Sequence, residues 1–252
     1  MPEYISSRQN EKIKRLRALL RDAKFRRTEG EYACEGLKLF GEARANSAEI
    51  TSVFLTEEAA KTADIGDIPA FILPGELIDY VSEQKSPQGI VFTCRMGERF
   101  TPERLKGRYI LLDSVSDPGN VGAIMRTAAA LGMDGLLLCG SCADIYNPKT
   151  VRGSMGALFR LPVFEIGYGE FASLIGASGI PLFRAHAREG AVPLAGIDLK
   201  NALVALGSEA AGLSEQILAM EAGDIIIPMK EGAESLGVAA AASIVMWEMV
   251  RG

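Results

Sequence analysis

One histidine, one tryptophan and four cysteines are all that 252 residues supply of the usual metal and redox chemistry. The histidine, His186, lies in FRAHAREG with no second ligand at metal spacing, so no metal is expected. Of Cys34, Cys94, Cys139 and Cys142, only the CGSC run at 139–142 has a suggestive spacing, and no second pair accompanies it. Free thiols are the reading. The longest apolar run, Val238 to Met246, is broken by Ser243 and falls far short of the ~20 residues that span a bilayer. The opening MPEYISSRQNEK is polar, unlike a secretory leader. A cytoplasmic protein with no membrane partner is expected. Neither GxGxxG nor GxxxxGK[ST] occurs, which counts against a dinucleotide oxidoreductase or a nucleoside-triphosphatase.

What is present is unevenly charged. The chain carries a net −5, yet residues 8–27 hold nine Lys/Arg against Glu11 and Asp22, a local +7. Such asymmetry marks either a polyanion-binding end or a solvated helix face. Ile13, Leu16, Leu20 and Ala23 recur at helical spacing through this stretch. Ser6 followed by Gln9 reads as its capping box.

From about residue 30 to 97, EYACEG, TSVFLT, AFILP and GIVFTC read as strands, and LKLFGEARA and GELIDYVSE as helices. The polar residues 98–106 read as a linker. A second series follows over 107–252. Its strands are YILLDSV, GLLLCG, IPLFRA, ALVALG and DIIIP. Its helices follow SDPGN, cover PKTVRGSMGALF, start near Leu213 and close the chain with LGVAAAASIVMWEMV. Alternating strands and helices predict an α/β fold with a mostly parallel sheet. The last helix is apolar on nearly every side, which predicts burial on every side.

Ligands of open parallel sheets bind beyond the carboxyl ends of strands. Three loops there stand out: SDPGN, GSEAAG and PMKEGAES. In the helix after the first, Ile124, Thr127, Ala128 and Leu131 form an apolar stripe. Arg126 lies about 200° from Ile124 at roughly 100° per residue, off that stripe. Long helical side chains lean toward the N-terminus, and Gly122 one turn back leaves Arg126 a path toward Asn120. A phosphate near the helix N-terminus would satisfy both the guanidinium and the free amides. An arginine merely reaching solvent is the alternative.

The three loops together resemble the SpoU (TrmH-like) branch of the SPOUT methyltransferases. The matching segments are DSVSDPGNVGAIMRTAAALG, LGSEAAGLS and IIIPMKEGAESLGVAAAAS, joined by NPKTVRGSMGALFRLPV. The resemblance covers about residues 107–251. More loosely, the basic start and SPQGIVF resemble the L30e-like substrate domain that precedes many such enzymes. The resemblance implies S-adenosylmethionine-dependent methylation of a ribose 2′-hydroxyl in RNA. Ribosomal RNA is favoured over transfer RNA, because the L30e-like leader is commoner with rRNA enzymes. It also implies a carboxyl-terminal trefoil knot and a homodimer. Arg126, Asn120, Glu209 and Ser235 are implied as the methyl-transfer site. Leu206, Gly207, Ile227, Met229 and Leu236 are implied around the cofactor, and Arg152 and Ser154 as second-tier candidates. Candidate RNA contacts are Arg8, Lys12, Lys14, Arg15, Arg26, Arg27 and Arg152. The family pattern Ser-Leu-Asn reads here Ser235-Leu236-Gly237. That departure keeps open a non-catalytic RNA-binding or assembly protein.

Overall fold

The computed structural model describes residues 2–97, 101–230 and 235–251. Among these, residues 2–97 and 144–159 form one compact unit, and residues 101–143 and 160–251 a second.

The first unit runs through β1 (Glu3–Tyr4), α1 (Glu11–Arg21), α2 (Ala23–Glu29), β2 (Glu31–Glu35), α3 (Leu37–Ala45) and β3 (Ile50–Leu55). It continues with α4 (Glu57–Ala60), β4 (Ala70–Ile72), α5 (Gly75–Val81) and β5 (Ile90–Arg95). The sheet order is β1-β4-β3-β5-β2. The strands β1, β4 and β3 are parallel, and β5 runs antiparallel to both β3 and β2. Side chains alternate across this sheet. Ala33, Phe54 and Val91 face the layer of Ile13, Leu16, Leu77 and Val81. Tyr32, Cys34, Val53 and Phe92 face Leu39, Phe40 and Ala59.

The basic start is two helices rather than one. Asn10, not Ser6, caps α1, its side chain accepting from Lys12 N at 2.9 Å. Asp22 ends α1 and caps α2, accepting from Phe25 N at 3.0 Å. A short carboxylate that bonds the local backbone competes with helix continuation, which the apolar spacing alone does not register. Ile13, Leu16, Leu19 and Leu20 are buried, while Ala23 is exposed.

The second unit opens with β6 (Arg108–Asp113), α6 (Pro118–Ala130) and β7 (Gly135–Cys139). The chain then gives residues 144–159 to the first unit, where α7 (Pro148–Ser154) packs on β2 and Val151 joins its core. It resumes with β8 (Val163–Glu165), α8 (Tyr168–Ser178), β9 (Leu182–Ala185), β10 (Val192–Pro193), β11 (Ala202–Gly207), α9 (Glu215–Leu218), β12 (Gly223–Ile226) and α10 (Val238–Arg251). Seven strands in the order β10-β12-β9-β11-β6-β7-β8 are all parallel, as strand–helix alternation predicts. The pair β8–α8 is not legible in the sequence. Gly167 caps α8 without a side-chain bond, and its apolar run is short.

The expected linker is structural in part. Leu105 is buried in the second core, and its N–H donates to Ser178 Oγ at 2.8 Å; residues 98–100 lie outside the described residues. The closing helix is also not buried all round. Val238, Ala242, Val245, Met246 and Met249 are buried where α10 meets α6, β11 and β6. Ile244 and Trp247 are exposed, Trp247 by 57 %. The expected knot turns on a segment that includes residues 231–234, outside the described residues. No described helix is long and apolar enough to cross a membrane.

Candidate active site

Two of the three loops meet directly. Beyond β6 the chain turns at Asp117, whose side chain caps α6 by accepting from Asn120 N at 2.9 Å. Pro118 takes the first helical position, where a missing N–H costs nothing. Asn120, in the first turn, donates from Nδ2 to Glu209 Oε1 at 2.5 Å. Glu209 stands in the loop after β11. A charge-assisted bond of this kind is about twice as strong as a neutral one and fixes the carboxylate's direction.

The Glu209 loop is closed on itself. Ser208 N donates to Gly212 O at 3.1 Å, and Gly212 N to Ser208 O at 2.9 Å. A Cβ on Gly207 would lie 2.1 Å from the backbone carbon of Gly212, so only glycine fits. Gly212 sits at φ +68°, in the left-handed region glycine favours. These constraints explain the pattern LGSEAAG in terms of backbone geometry.

Arg126 is exposed on α6, whose buried residues are Val121, Gly122, Ile124, Met125 and Ala128, with Gly122 one turn behind it on its own face. Arg126 forms no hydrogen bond or ion pair among the described residues. The third loop contributes Ile227, half-buried after β12, then Met229, Ser235 and Leu236, all exposed; Glu231, Gly232, Ala233 and Glu234 lie outside the described residues. Gly237 is exposed, with open space where a Cβ would stand and a φ outside the left-handed region. Among the described residues nothing around it requires glycine.

In the sheet β9 lies between β11 and β12, a neighbour the sequence reading does not use. Just past its carboxyl end, His186 N donates to Ile225 O at 3.1 Å. Arg184 binds Asp224 at 2.9 and 3.0 Å, and Arg188 approaches the same carboxylate at 3.2 Å. His186 Nδ1 lies 3.8 Å from it. This cluster ties β9 to β12 behind the third loop.

The residues present fit an adenosyl group. Gly207 is half-buried at a strand end, and the exposed apolar side chains of Met229 and Leu236 can cover an adenine. Leu206 departs from expectation: its side chain is 2 % exposed and belongs to the core, so of the pair only Gly207 is partly exposed. Among the described residues no group of His, Cys, Asp and Glu could hold a metal. The CGSC thiols are free. Burial pushes Cys139 up to about 12 and Cys142 up to about 11, which keeps both protonated and unreactive at neutral pH.

The candidate RNA contacts divide sharply. Arg26 is 2 % exposed and ion-paired to Asp144 Oδ2 at 2.6 Å, so it is a core residue rather than an RNA contact. Arg15 bridges Glu29 and Glu31, both at 2.9 Å, with Glu31 nearly buried. Arg152 pairs with buried Glu35 at 3.3 Å, and Ser154 is buried, with Oγ donating to Val151 O. By contrast, among the described residues, Lys14 makes only an exposed pair with Glu11, Lys12 pairs with exposed Glu3, and Arg8 lies over the Tyr80 ring. Arg27 is exposed. A short apolar or acidic neighbour in the folded state, invisible in the linear charge run, decides which cations stay available.

Comparison with known proteins identifies the family. Residues 107–247 match the SpoU rRNA Methylase family, and residues 10–91 match the MRM3-like substrate binding domain. The chain is 28 % identical over 248 residues to the Bacillus subtilis 23S rRNA (guanosine(2553)-2'-O)-methyltransferase RlmP, covering 98 % of this chain and 99 % of that protein. Among solved structures it superposes on an AdoMet-bound rRNA methyltransferase from Sinorhizobium meliloti with a TM-score of 0.87. Identity there is 29 %, over 99 % of this chain and 97 % of the other. On the SpoU methyltransferase AviRb from Streptomyces viridochromogenes, in complex with AdoMet, the TM-score is 0.88 at 27 % identity, over 96 % and 98 % of the two chains. With more than half its length matched by the family's own pattern, and with the first two loops bonded together at the strand ends, this chain belongs to the SpoU rRNA methylase family.

Proposed function

We propose that this chain methylates a ribose 2′-hydroxyl of ribosomal RNA, with Asn120, Arg126, Glu209 and Ser235 lining the transfer site. The observation that carries the residue assignment is the Asn120–Glu209 bond, which joins two loops 89 residues apart in sequence. S-adenosylmethionine, when bound, supplies an already activated methyl group. The protein's part is to orient the 2′-oxygen and manage its proton. Arg126 presents a planar, delocalised cation with a fork of N–H donors. It clamps a substrate phosphate and stabilises the negative charge that develops on the 2′-oxygen. Glu209, held by Asn120, or an oxygen of that phosphate receives the proton. Ser235 closes the site from the third loop. Gly207, Ile227, Met229 and Leu236 would hold the adenosine, with Leu206 supporting them from the core.

The test is methyl transfer from labelled S-adenosylmethionine to transcripts of large-subunit rRNA and of tRNA, with 2′-O-methyl positions mapped afterwards. Label on rRNA is expected. Label on tRNA alone corrects the substrate. Cofactor binding absent from calorimetry would favour a non-catalytic RNA-binding protein.

The first unit binds the RNA through its exposed cations. Exposed ion pairs are worth about 0–1 kcal/mol, so Lys12 and Lys14 exchange Glu3 and Glu11 for phosphates at little cost. Deleting α1 is not a fair test. It removes four core side chains, each worth about 1.5–3 kcal/mol of burial. Replacing Arg8, Lys12 and Lys14 together with alanine is expected to weaken rRNA binding and flatten its salt dependence. The slope should drop by about 0.7–0.9 for each phosphate that is no longer neutralised. An unchanged slope removes these residues from the interface.

Two copies pair through the uncovered face of α10, where Ala240, Ile244 and Trp247 recur at helical spacing. Trp247→Glu is expected to turn a dimer into a monomer in sedimentation. A wild-type protein that sediments as a monomer ends this reading.

A further inference from the structure

We propose that Asp113 is a positioning residue that sets Glu209 against Asn120. The inference deepens the active-site reading above and rests on it. Asp113 ends β6, and its residue surface is 0 % exposed. A buried carboxylate is costly unless its oxygens are bonded. Asp113 forms no ion pair among the described residues, and its partners are neutral donors. Oδ2 accepts from Ser214 N at 2.6 Å. Oδ1 accepts from the Tyr168 hydroxyl at 2.7 Å and, more weakly, from Ser114 Oγ at 3.4 Å. A carboxylate spent on uncharged donors holds direction rather than charge balance.

The two bonds reach the structures that place the candidate site. Ser214 stands just past the closed Glu209 loop and caps α9. The loop's other foot, Gly207, is paired in register with Asp113 across β11 and β6. Between those feet the Ser208–Gly212 pair leaves the loop little internal freedom, so it turns as one piece. The bond to Ser214 N therefore fixes where Glu209 points. Four residues after Asp113, Asp117 starts the helix that carries Asn120. One strand end thus orients both partners of the 2.5 Å bond.

The surroundings protect the arrangement. Ser114 adopts φ +58°, an uncommon conformation for a non-glycine residue. A Cβ on Gly140 would lie 2.3 Å from Ser114 Oγ and 2.4 Å from the Tyr168 hydroxyl. Glycine at 140 is what leaves room for Tyr168 to reach Asp113.

Three variants test this: Asp113→Ala, Asp113→Asn and Tyr168→Phe. The asparagine keeps an acceptor for Ser214 N and offers a donor to the Tyr168 oxygen. Tyr168→Phe leaves the carboxylate in place and keeps the test independent of folding losses in the alanine variant. Two quantities are read: steady-state kinetics with labelled S-adenosylmethionine and large-subunit rRNA transcript, and hydrogen exchange of amides 207–214 in the cofactor-free protein. Asp113→Ala is expected to lower kcat on the order of 100-fold, the scale of a ~1 Å misplacement, with KM for RNA unchanged. Asp113→Asn should restore most of that loss, and Tyr168→Phe should fall between. Loop amides should exchange faster in Asp113→Ala and Tyr168→Phe, with β6 and β7 unaffected. Wild-type kcat in a folded Tyr168→Phe together with unchanged loop exchange overturns the proposal. So does an asparagine variant no better than alanine. If the wild-type protein transfers no methyl group, the activity reading fails, and loop exchange alone decides whether Asp113 holds the loop.

Discussion

Replacing Arg126 with alanine is expected to lower methyl transfer by at least the ~10²–10³-fold typical of removing one preorganised charge-stabilising donor. Binding of S-adenosylmethionine, read by calorimetry, should stay at the wild-type level. The separation follows from the fold. Arg126 is exposed and unpartnered among the described residues, while Val121, Ile124 and Met125 carry the packing of α6. Removing it leaves no buried group unpaired, so thermal stability should not move. Arg126→Lys should recover only part of the rate, since an ammonium lacks the planar fork that grips a phosphate. Turnover at the wild-type rate in the alanine variant would falsify the role assigned to this side chain.

Arg26→Ala should fail in the opposite way. The guanidinium reaches Asp144 Oδ2 at 2.6 and 3.2 Å and also donates to Leu19 O at 2.9 Å, in the last turn of α1. With Arg26 removed, Asp144 is left largely buried without its cation. Breaking a buried pair from one side costs about 3–5 kcal/mol, a large share of the ~5–15 kcal/mol that holds a typical domain folded. Denaturant unfolding should show the loss. Paired replacement of Arg26 by Met and Asp144 by Leu should recover much of it, because the uncompensated charge is gone. If Arg26→Ala instead unfolds like the wild type and binds RNA less well, the core assignment is wrong.

The contrast between these arginines shows where sequence reading stops. Both sit in helices, and both read as RNA contacts. Arg126 is legible because its neighbours on the helix are small and apolar, so its position off the stripe follows from spacing. Arg26 is not, because its partner lies 118 residues away in a segment that reads as part of the other domain. The centre of the parallel sheet is legible because β6, β7 and β11 are nearly unbroken apolar runs, as burial on both faces demands. Asn120 and Glu209 stand in loops that the pattern singles out. Asp113 lies in the first motif, yet its burial and its bonds to Ser214 and Tyr168 depend on strand register and on α8, which local spacing does not encode. Likewise Leu206 looks like a ligand contact until the sheet turns it inward. The break at Asp22 defeats a helix drawn from apolar periodicity, because a single carboxylate both stops one helix and starts the next.

The excursion of residues 144–159 into the first unit bears on how such proteins can be recombined. A chimera joined near residue 100 would take Arg26, Tyr32 and Glu35 from one parent and Asp144, Tyr146 and Arg152 from the other. Those residues meet as a buried ion pair, a ring contact at 4.6 Å and a second ion pair. Mismatched parents would break all three at once. Exchange of RNA preference between homologues should therefore succeed only when the short later segment travels with the amino-terminal one, as a single inherited block.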